Sequence, residues 1–309
     1  MRMLALEAGD LQADHIRVFV KPEPHKQAKL EEGRLRLISA VSLVDTCVDR
    51  ILFTWCLEAA LDNFLTTPSM IGWTPIYGSW RQLWALYGGS ALALDKSAWD
   101  WTVQPWLIDA IRDVIKELAI DAPPWWQALV DRRFELLFQS PVFEFQDGTT
   151  VKQMGKGIMK SGCYLTIIAN TLGQVITHFV ACQQTGDNPV LSVPHALGDD
   201  TIQRGDRIND IGLYCAALEQ LGCKVKGGQV ATDVVEFVGF EFREHSCVPA
   251  YREKHFYKQE FTPDLGGFLY AMQLLYAHDP AFYAYYRRLA AEKVPSRVTS
   301  AIEAKGFMA

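Results

Sequence analysis

VPHALGDDTIQ, residues 193–203, sets two short apolar runs on either side of the tripeptide Gly198-Asp199-Asp200. Runs of this length around a glycine turn predict two strands joined at a hairpin tip. Two carboxylates at one tip repel each other unless a cation joins them. The tripeptide decides little by itself. At ordinary glycine and aspartate usage, chance places one in about one chain in ten to fifteen of this length, and a solvated turn accounts for it equally well.

A second acidic strand end changes the weighting. SALALD (90–95) predicts a buried strand that finishes on Asp95, and Asp100 follows after KSAW. Magnesium takes hard oxygen ligands, and two ions roughly 3.5–4 Å apart activate an attacking hydroxyl while stabilising a departing pyrophosphate. Two separate strand ends are what such a pair needs. The plainer reading of Asp95 is a cap on the turn leading to the helix opened by Pro105, whose Leu107, Ile108, Ile111, Val114, Ile115 and Leu118 share one face.

Further along, Lys160-Ser161-Gly162 leads into a long helix predicted from about Cys163 to Gln183, with Thr166 and Asn170 four residues apart on one face. Hydroxyls and an amide so aligned can read a ribose; they can equally bond to the backbone of a core helix. Nearer the start, residues 17–36 gather Arg17, Lys21, Lys26, Lys29, Arg34 and Arg36 against Glu23, Glu31 and Glu32. Strands are predicted at 16–20 and 35–38. Alternation of Arg34 and Arg36 with Leu35 and Leu37 on a strand would aim both guanidiniums to one side, a geometry that suits phosphate oxygens. A solvated loop is the alternative.

The rest of the chain reads as ordinary scaffold. Residues 42–64 predict an amphipathic helix with Val44, Val48, Ile51, Leu52, Trp55 and Ala59 at helical spacing and Asp45, Asp49 and Arg50 on other faces. FEFQDGTTVK (143–152) predicts a hairpin at its Asp-Gly turn. Residues 208–221 predict a helix stopped by Gly222, VVEFVGFEF (234–242) a strand whose glycine admits a close neighbour, and the last sixty residues a small helical subdomain.

Composition excludes several classes. With 309 residues, 49% of them hydrophobic, the chain can bury a sizeable core. A net charge of −6 argues against a protein that coats nucleic acid non-specifically, so any such role must use a local basic channel. Seven cysteines without a C-x-x-C pair exclude a disulfide framework and a zinc site of the usual spacing, and read as reduced thiols of a cytosolic protein. The opening MRMLALEAGDLQADH meets acidic residues too early for a secretory signal. The uncharged stretch from Ser161 up to Asp187 carries too many polar groups for hydrocarbon and reads as a buried helix, so no intrinsic membrane span is expected.

Taken in order, these segments resemble the RNA-dependent RNA polymerases of positive-strand RNA viruses, most closely the sobemovirus and polerovirus-like group. KPEPHKQAKLEEGRLRLIS (21–39) is similar to motif F, DKSAWDWTV (95–103) to motif A, GIMKSGCYLTIIANT (157–171) to motif B, and ALGDDTIQ to motif C. LGCKVK (221–226) falls where motif D ends and EFVGFEF (236–242) where motif E lies. Six matches in one order carry what no single match does.

The resemblance implies an α+β right-hand fold, with fingers at 1–94, palm at 95–121, a fingers insertion at 122–160, palm again at 161–245 and a short thumb at 246–309. It implies RNA-directed RNA synthesis in viral genome replication, with two Mg2+, for which Mn2+ can substitute, on Asp95 and Asp199, supported by Asp200. Lys21, Arg34 and Arg36 would line the triphosphate approach, and Asp100, Ser161, Thr166 and Asn170 would sense the ribose. Lys226 would give a proton to pyrophosphate, with Lys224 as its rival. The implied partners are an RNA template and product strand, nucleoside triphosphates, and viral or membrane-tethering proteins at replication complexes in the host cytoplasm. Only twenty residues precede Lys21 and the thumb is short, so a reduced form or a fragment is expected. A reverse transcriptase and a polymerase-like RNA-binding scaffold without turnover are the competing readings.

Overall fold

The computed structural model describes residues 1–24 and 27–309; His25 and Lys26, the latter part of the basic segment, lie outside the described residues. The chain forms two compact units. One comprises residues 1–72, 94–201 and 207–228, the other 73–93, 202–206 and 229–309.

Among the described residues, the strands before residue 232 are β1 (Ile16–Val20), β2 (Leu37–Ala40), β3 (Ala91–Lys96), β4 (Val142–Phe145), β5 (Thr150–Lys152), β6 (His195–Leu197), β7 (Asp200–Arg204) and β8 (Val225–Ala231). They form two four-stranded sheets, ordered β2-β1-β4-β5 and β6-β7-β3-β8. In the first, β1 pairs antiparallel with β2 and parallel with β4, so Ile16 faces Phe143. The Asp-Gly hairpin forms as expected, Val142 opposite Lys152.

Helices Leu43–Asp62, Pro124–Phe138 and Thr166–Thr185 supply much of the larger unit's core. Phe53 meets Phe134 edge to face at 6.2 Å, and the Trp126 indole N–H donates to the Leu52 carbonyl at 3.2 Å. Asn170, Gln174, Thr177 and His178 are buried along the 166–185 helix, in keeping with the polar content of that stretch. Among the described residues no helix is long and apolar enough to cross a membrane.

Three local expectations need correction. Strand β2 begins at Leu37, so Arg34 and Arg36 precede it; the Arg36 carbonyl still accepts the Lys21 N–H at 2.8 Å, but both guanidiniums turn to nearby glutamates. The 43–62 helix does not follow the simple amphipathic pattern. Asp45 and Asp49 are buried while Ile51 is 64% exposed, because Arg133 from the 124–138 helix supplies the acids with a counter-charge. Residues 234–242 are two strands, β9 (Val235–Phe237) and β10 (Phe240–Arg243), with Val238 and Gly239 as the turn between them.

In the smaller unit β10 also pairs with β11 (Ser246–Pro249). The helices Arg252–Phe261, Leu265–Leu275, Pro280–Lys293 and Ala301–Met308 follow. Their core gathers Leu269, Met272, Tyr276, Tyr286 and Ala290, with Tyr276 stacked on Phe282 at 4.9 Å and on Tyr286 at 5.5 Å.

Candidate active site

Alternation along β3 buries Leu94 and Lys96 and turns Asp95 outward. In the sheet order β3 lies beside β7, which begins at Asp200. Gly198 and Asp199 form the turn from β6 into β7, and Gly198 adopts a φ of +66°, a left-handed conformation that a residue with a Cβ resists. Its N–H donates to the Thr171 hydroxyl at 3.0 Å, so the 166–185 helix anchors the acidic tip. Asp95 caps no helix: the one opened by Pro105 has Gln104 before it.

A buried ammonium, that of Lys96, feels the charge of both acids. Lys96 Nζ donates to the Thr201 hydroxyl at 3.5 Å, and Thr201 in turn donates to the Leu94 carbonyl at 3.4 Å, which stitches β3 to β7. Burial pushes the Lys96 amine down to about 8; the neighbouring Cys223, Asp199, Cys215 and Asp95 pull it back up. Asp95 and Asp199 therefore act on one and the same cation. Among the described residues neither of their carboxylates has a hydrogen bond or ion pair, whereas Asp200 does have a partner.

Asp100 and Asn170 are brought together. The Asn170 amide donates to Asp100 Oδ1 at 3.3 Å, and its own oxygen accepts the Trp99 indole N–H at 2.9 Å. Burial raises the Asp100 pKa; the Asn170 hydrogen bond opposes this, the charge on Asp199 adds to it, and Arg36 and Lys160 lower it. Asp100 thus sits within electrostatic reach of both the acidic tip and the basic segment.

Ser161 Oγ accepts the Ser39 N–H at 3.1 Å, and the Gly162 N–H donates to the Ser39 carbonyl at 3.0 Å. A Cβ on Gly162 would lie 2.8 Å from that carbonyl oxygen, so the contact between this loop and β2 requires glycine. Thr166 lies on the same helix as Asn170, but its hydroxyl donates to the carbonyls of Lys160 and Cys163. It therefore shapes the loop, which is the backbone-bonding alternative for that hydroxyl.

The basic residues are exposed and locally paired. Lys21 meets Glu23 at 3.0 Å, Arg36 meets the same glutamate at 3.5 Å, and Arg34 pairs with Glu32. Exposed pairs contribute about 0–1 kcal/mol, so an incoming anion can displace them. The charge of Arg36 reaches Asp100; Arg34 is tied to Glu32. Lys226 is exposed on β8, the neighbour of β3 on its other side, and the Lys224 carbonyl accepts the Ser97 N–H at 2.8 Å. Nothing in the geometry separates these two lysines as proton donors.

Sequence reasoning missed Lys96, Thr171 and Lys160. Alternation through β3 would have placed Lys96 on the face of Leu92 and Leu94, and Thr171 directly follows Asn170. No sequence signal marks Lys160 as buried. As for metal, among the described residues no three His, Cys, Asp or Glu side chains converge into a ready cluster. Asp95 and Asp199 nonetheless offer hard, uncommitted oxygen donors of the kind magnesium and manganese accept.

A four-stranded sheet carrying acids on adjacent strands, backed by a long helix that pins their turn, defines the class of palm-containing nucleotide polymerases. The chain belongs to the viral RNA-dependent RNA polymerase family, whose profile it matches over residues 7–234. It is 32% identical over 270 residues to Protein P1-P2 of Turnip yellows virus, covering 79% of this chain and 24% of that protein. It is 36% identical over 164 residues to the replicase polyprotein P2AB of Southern cowpea mosaic virus, covering 51% and 17%. It is 31% identical over 198 residues to the RNA-directed RNA polymerase of Mushroom bacilliform virus, covering 62% and 47%. The chain thus spans about a quarter of the first of these relatives. Among solved structures, the RNA-dependent RNA polymerase 3Dpol of a sicinivirus has the same fold, with a TM-score of 0.72 at 17% identity over 98% of this chain and 66% of that one.

Proposed function

We propose that this chain is the catalytic core of an RNA-directed RNA polymerase that joins ribonucleotides on an RNA template during viral genome replication. The observation that carries the reading is the pair of uncommitted carboxylates, Asp95 on β3 and Asp199 in the turn that enters the adjacent β7, both of whose charges act on the buried Lys96 amine. Family membership supplies the reaction class.

On this reading Asp95 and Asp199 hold two Mg2+ or Mn2+ ions, with Asp200 in support. Such ions, when bound, lower the pKa of an attacking hydroxyl and neutralise charge on the leaving phosphates. Lys21 and Arg36 exchange Glu23 for triphosphate oxygens, with Arg34 at the margin. Asp100, oriented by Asn170, accepts a hydrogen bond from the ribose 2′-hydroxyl, and Ser161, whose own proton is free to donate, faces the same sugar. Lys226 or Lys224 returns a proton to pyrophosphate. The partners are template and product RNA, nucleoside triphosphates and viral or membrane-tethering proteins, in replication complexes of the host cytoplasm.

The test is incorporation of labelled ribonucleotide on an RNA template with Mg2+ or Mn2+, using the polymerase at its full length. Incorporation is expected to fall by roughly a thousand-fold or more in Asp199→Ala and Asp95→Ala. Undiminished turnover in Asp199→Ala, or none in the unaltered enzyme, would remove the proposal.

A further inference from the structure

Lys160 is fully buried, and among the described residues no carboxylate lies within ion-pair distance of its ammonium. Its Nζ donates instead to Gln153 Oε1 at 2.9 Å, to the Gly157 carbonyl at 3.2 Å and to the Ile158 carbonyl at 2.5 Å. The rings of Phe138 and Phe143 close the remaining sides, their centroids 5.3 and 5.6 Å away. Gln153 is fixed in turn, its amide donating to the carbonyls of Phe138, Gly155 and Gly157. Residues 153–158 are therefore wrapped around a single internal cation.

Burying an ammonium with only neutral acceptors costs several kcal/mol, and an apolar side chain of similar length would fill the same space at less cost. Core packing alone does not call for a lysine here. Burial accordingly pushes its amine down to about 7.

What the lysine touches through its backbone gives the reason. The Met159 N–H, one residue before it, donates to the Asp100 carbonyl at 2.7 Å. Ser161, one residue after it, is held against Ser39. The Lys160 carbonyl receives the Thr166 hydroxyl and the Cys163 N–H. The side chain thus fixes the short segment that joins Asp100 on one side to Ser161 on the other. Its charge also acts on the Asp100 carboxylate across the gap.

Resting on the polymerase reading above, we infer that Lys160 is a positioning residue for sugar selection: by closing the 153–158 segment it sets the spacing of Asp100 and Ser161 that distinguishes a ribonucleotide from a deoxyribonucleotide. A misplacement of about 1 Å in such a pair is worth about a hundred-fold in rate, and it bears on the substrate that offers the 2′-hydroxyl.

The test compares kcat/KM for ATP and dATP on one template, in the full-length enzyme and its Lys160→Met variant, with thermal unfolding in parallel. In Lys160→Met the ATP-to-dATP preference should fall about ten- to a hundred-fold, chiefly through a higher KM for ATP, in a protein whose unfolding remains a single cooperative transition. A folded Lys160→Met with a preference within about two-fold of the unaltered enzyme overturns the inference. Should Lys160→Met fail to fold, Gln153→Leu, which removes one acceptor of the ammonium together with the amide that holds the loop carbonyls, is compared in the same way and held to the same two-fold limit. Absence of any metal-dependent incorporation by the unaltered enzyme would remove the polymerase reading and this inference together; an active enzyme with unaltered preference in the variants would remove this inference alone.

Discussion

Arg133 is 1% exposed and Asp49 0%, and they are joined by two hydrogen bonds, Nε to Oδ1 at 2.5 Å and Nη2 to Oδ2 at 3.1 Å. Replacing Arg133 with Met leaves Asp49 in the core with the Cys163 thiol at 3.5 Å as its one remaining polar neighbour among these contacts. Asp45, 4.0 Å from the same guanidinium, keeps Arg2 at 3.6 Å and the Asp14 N–H at 2.9 Å, so the damage centres on Asp49. An abandoned buried carboxylate costs about 3–5 kcal/mol, set against the roughly 5–15 kcal/mol that holds a typical domain folded. The double variant Asp49→Leu/Arg133→Met removes both charges and should recover most of that loss. Urea unfolding of the two variants, read as the shift of the midpoint at constant slope, tests this ordering. A single variant within about 1 kcal/mol of the unaltered protein, or a double variant less stable than the single, would refute the electrostatic account.

Other consequences follow from the same geometry. Thr171→Val leaves the buried Gly198 N–H without an acceptor at a cost of about 1–3 kcal/mol, and steady-state kinetics should show kcat falling more than the nucleotide KM rises; equal changes in both would argue against a role in holding the acidic turn. Stability of the metal-free protein should rise with pH just above neutrality. Lys160 is pushed down to about 7 and Lys96 to about 8, whereas an unfolded lysine titrates near 10.4. In that window the unfolded chain holds more protons, so stability rises by about 1 kcal/mol between pH 7 and 8. From about pH 8.5 the trend should reverse, because unfolded thiols ionise there while burial keeps Cys163, Cys56 and Cys247 protonated. Unfolding midpoints at pH 7, 8 and 9 check both limbs, and Lys160→Met should flatten the first; a fall between pH 7 and 8 would contradict the assignment.

Local signals carried the elements that local chemistry determines. Strand β1, the Asp-Gly hairpin at 142–152 and the strand-turn-strand around Gly198 lie where alternation and turn residues put them. Partners distant in the chain were not legible. Nothing near Asp49 announces Arg133, 84 residues away, so two buried acids looked like a solvent face. Alternation at Arg34 to Leu37 was real, but it does not say where pairing starts, and glutamates close by set the geometry of both arginines. Buried lysines are the hardest case: composition and periodicity place ammonium groups in water, and only the cage of carbonyls and rings around Lys160, or the Thr201 hydroxyl and the acidic charges acting on Lys96, explains the exception.

The parallel pairing of β1 with β4 has a consequence for biosynthesis. Its two sides meet near His15 and Glu144, 129 residues apart. At ribosomal speeds of about 5–20 residues per second, the amino-terminal strand emerges roughly 6–25 seconds before its neighbour exists. Until then Ile16 and Val18, which end in the interior beside Phe143, lack that cover on the nascent chain and present apolar surface that a chaperone can shield.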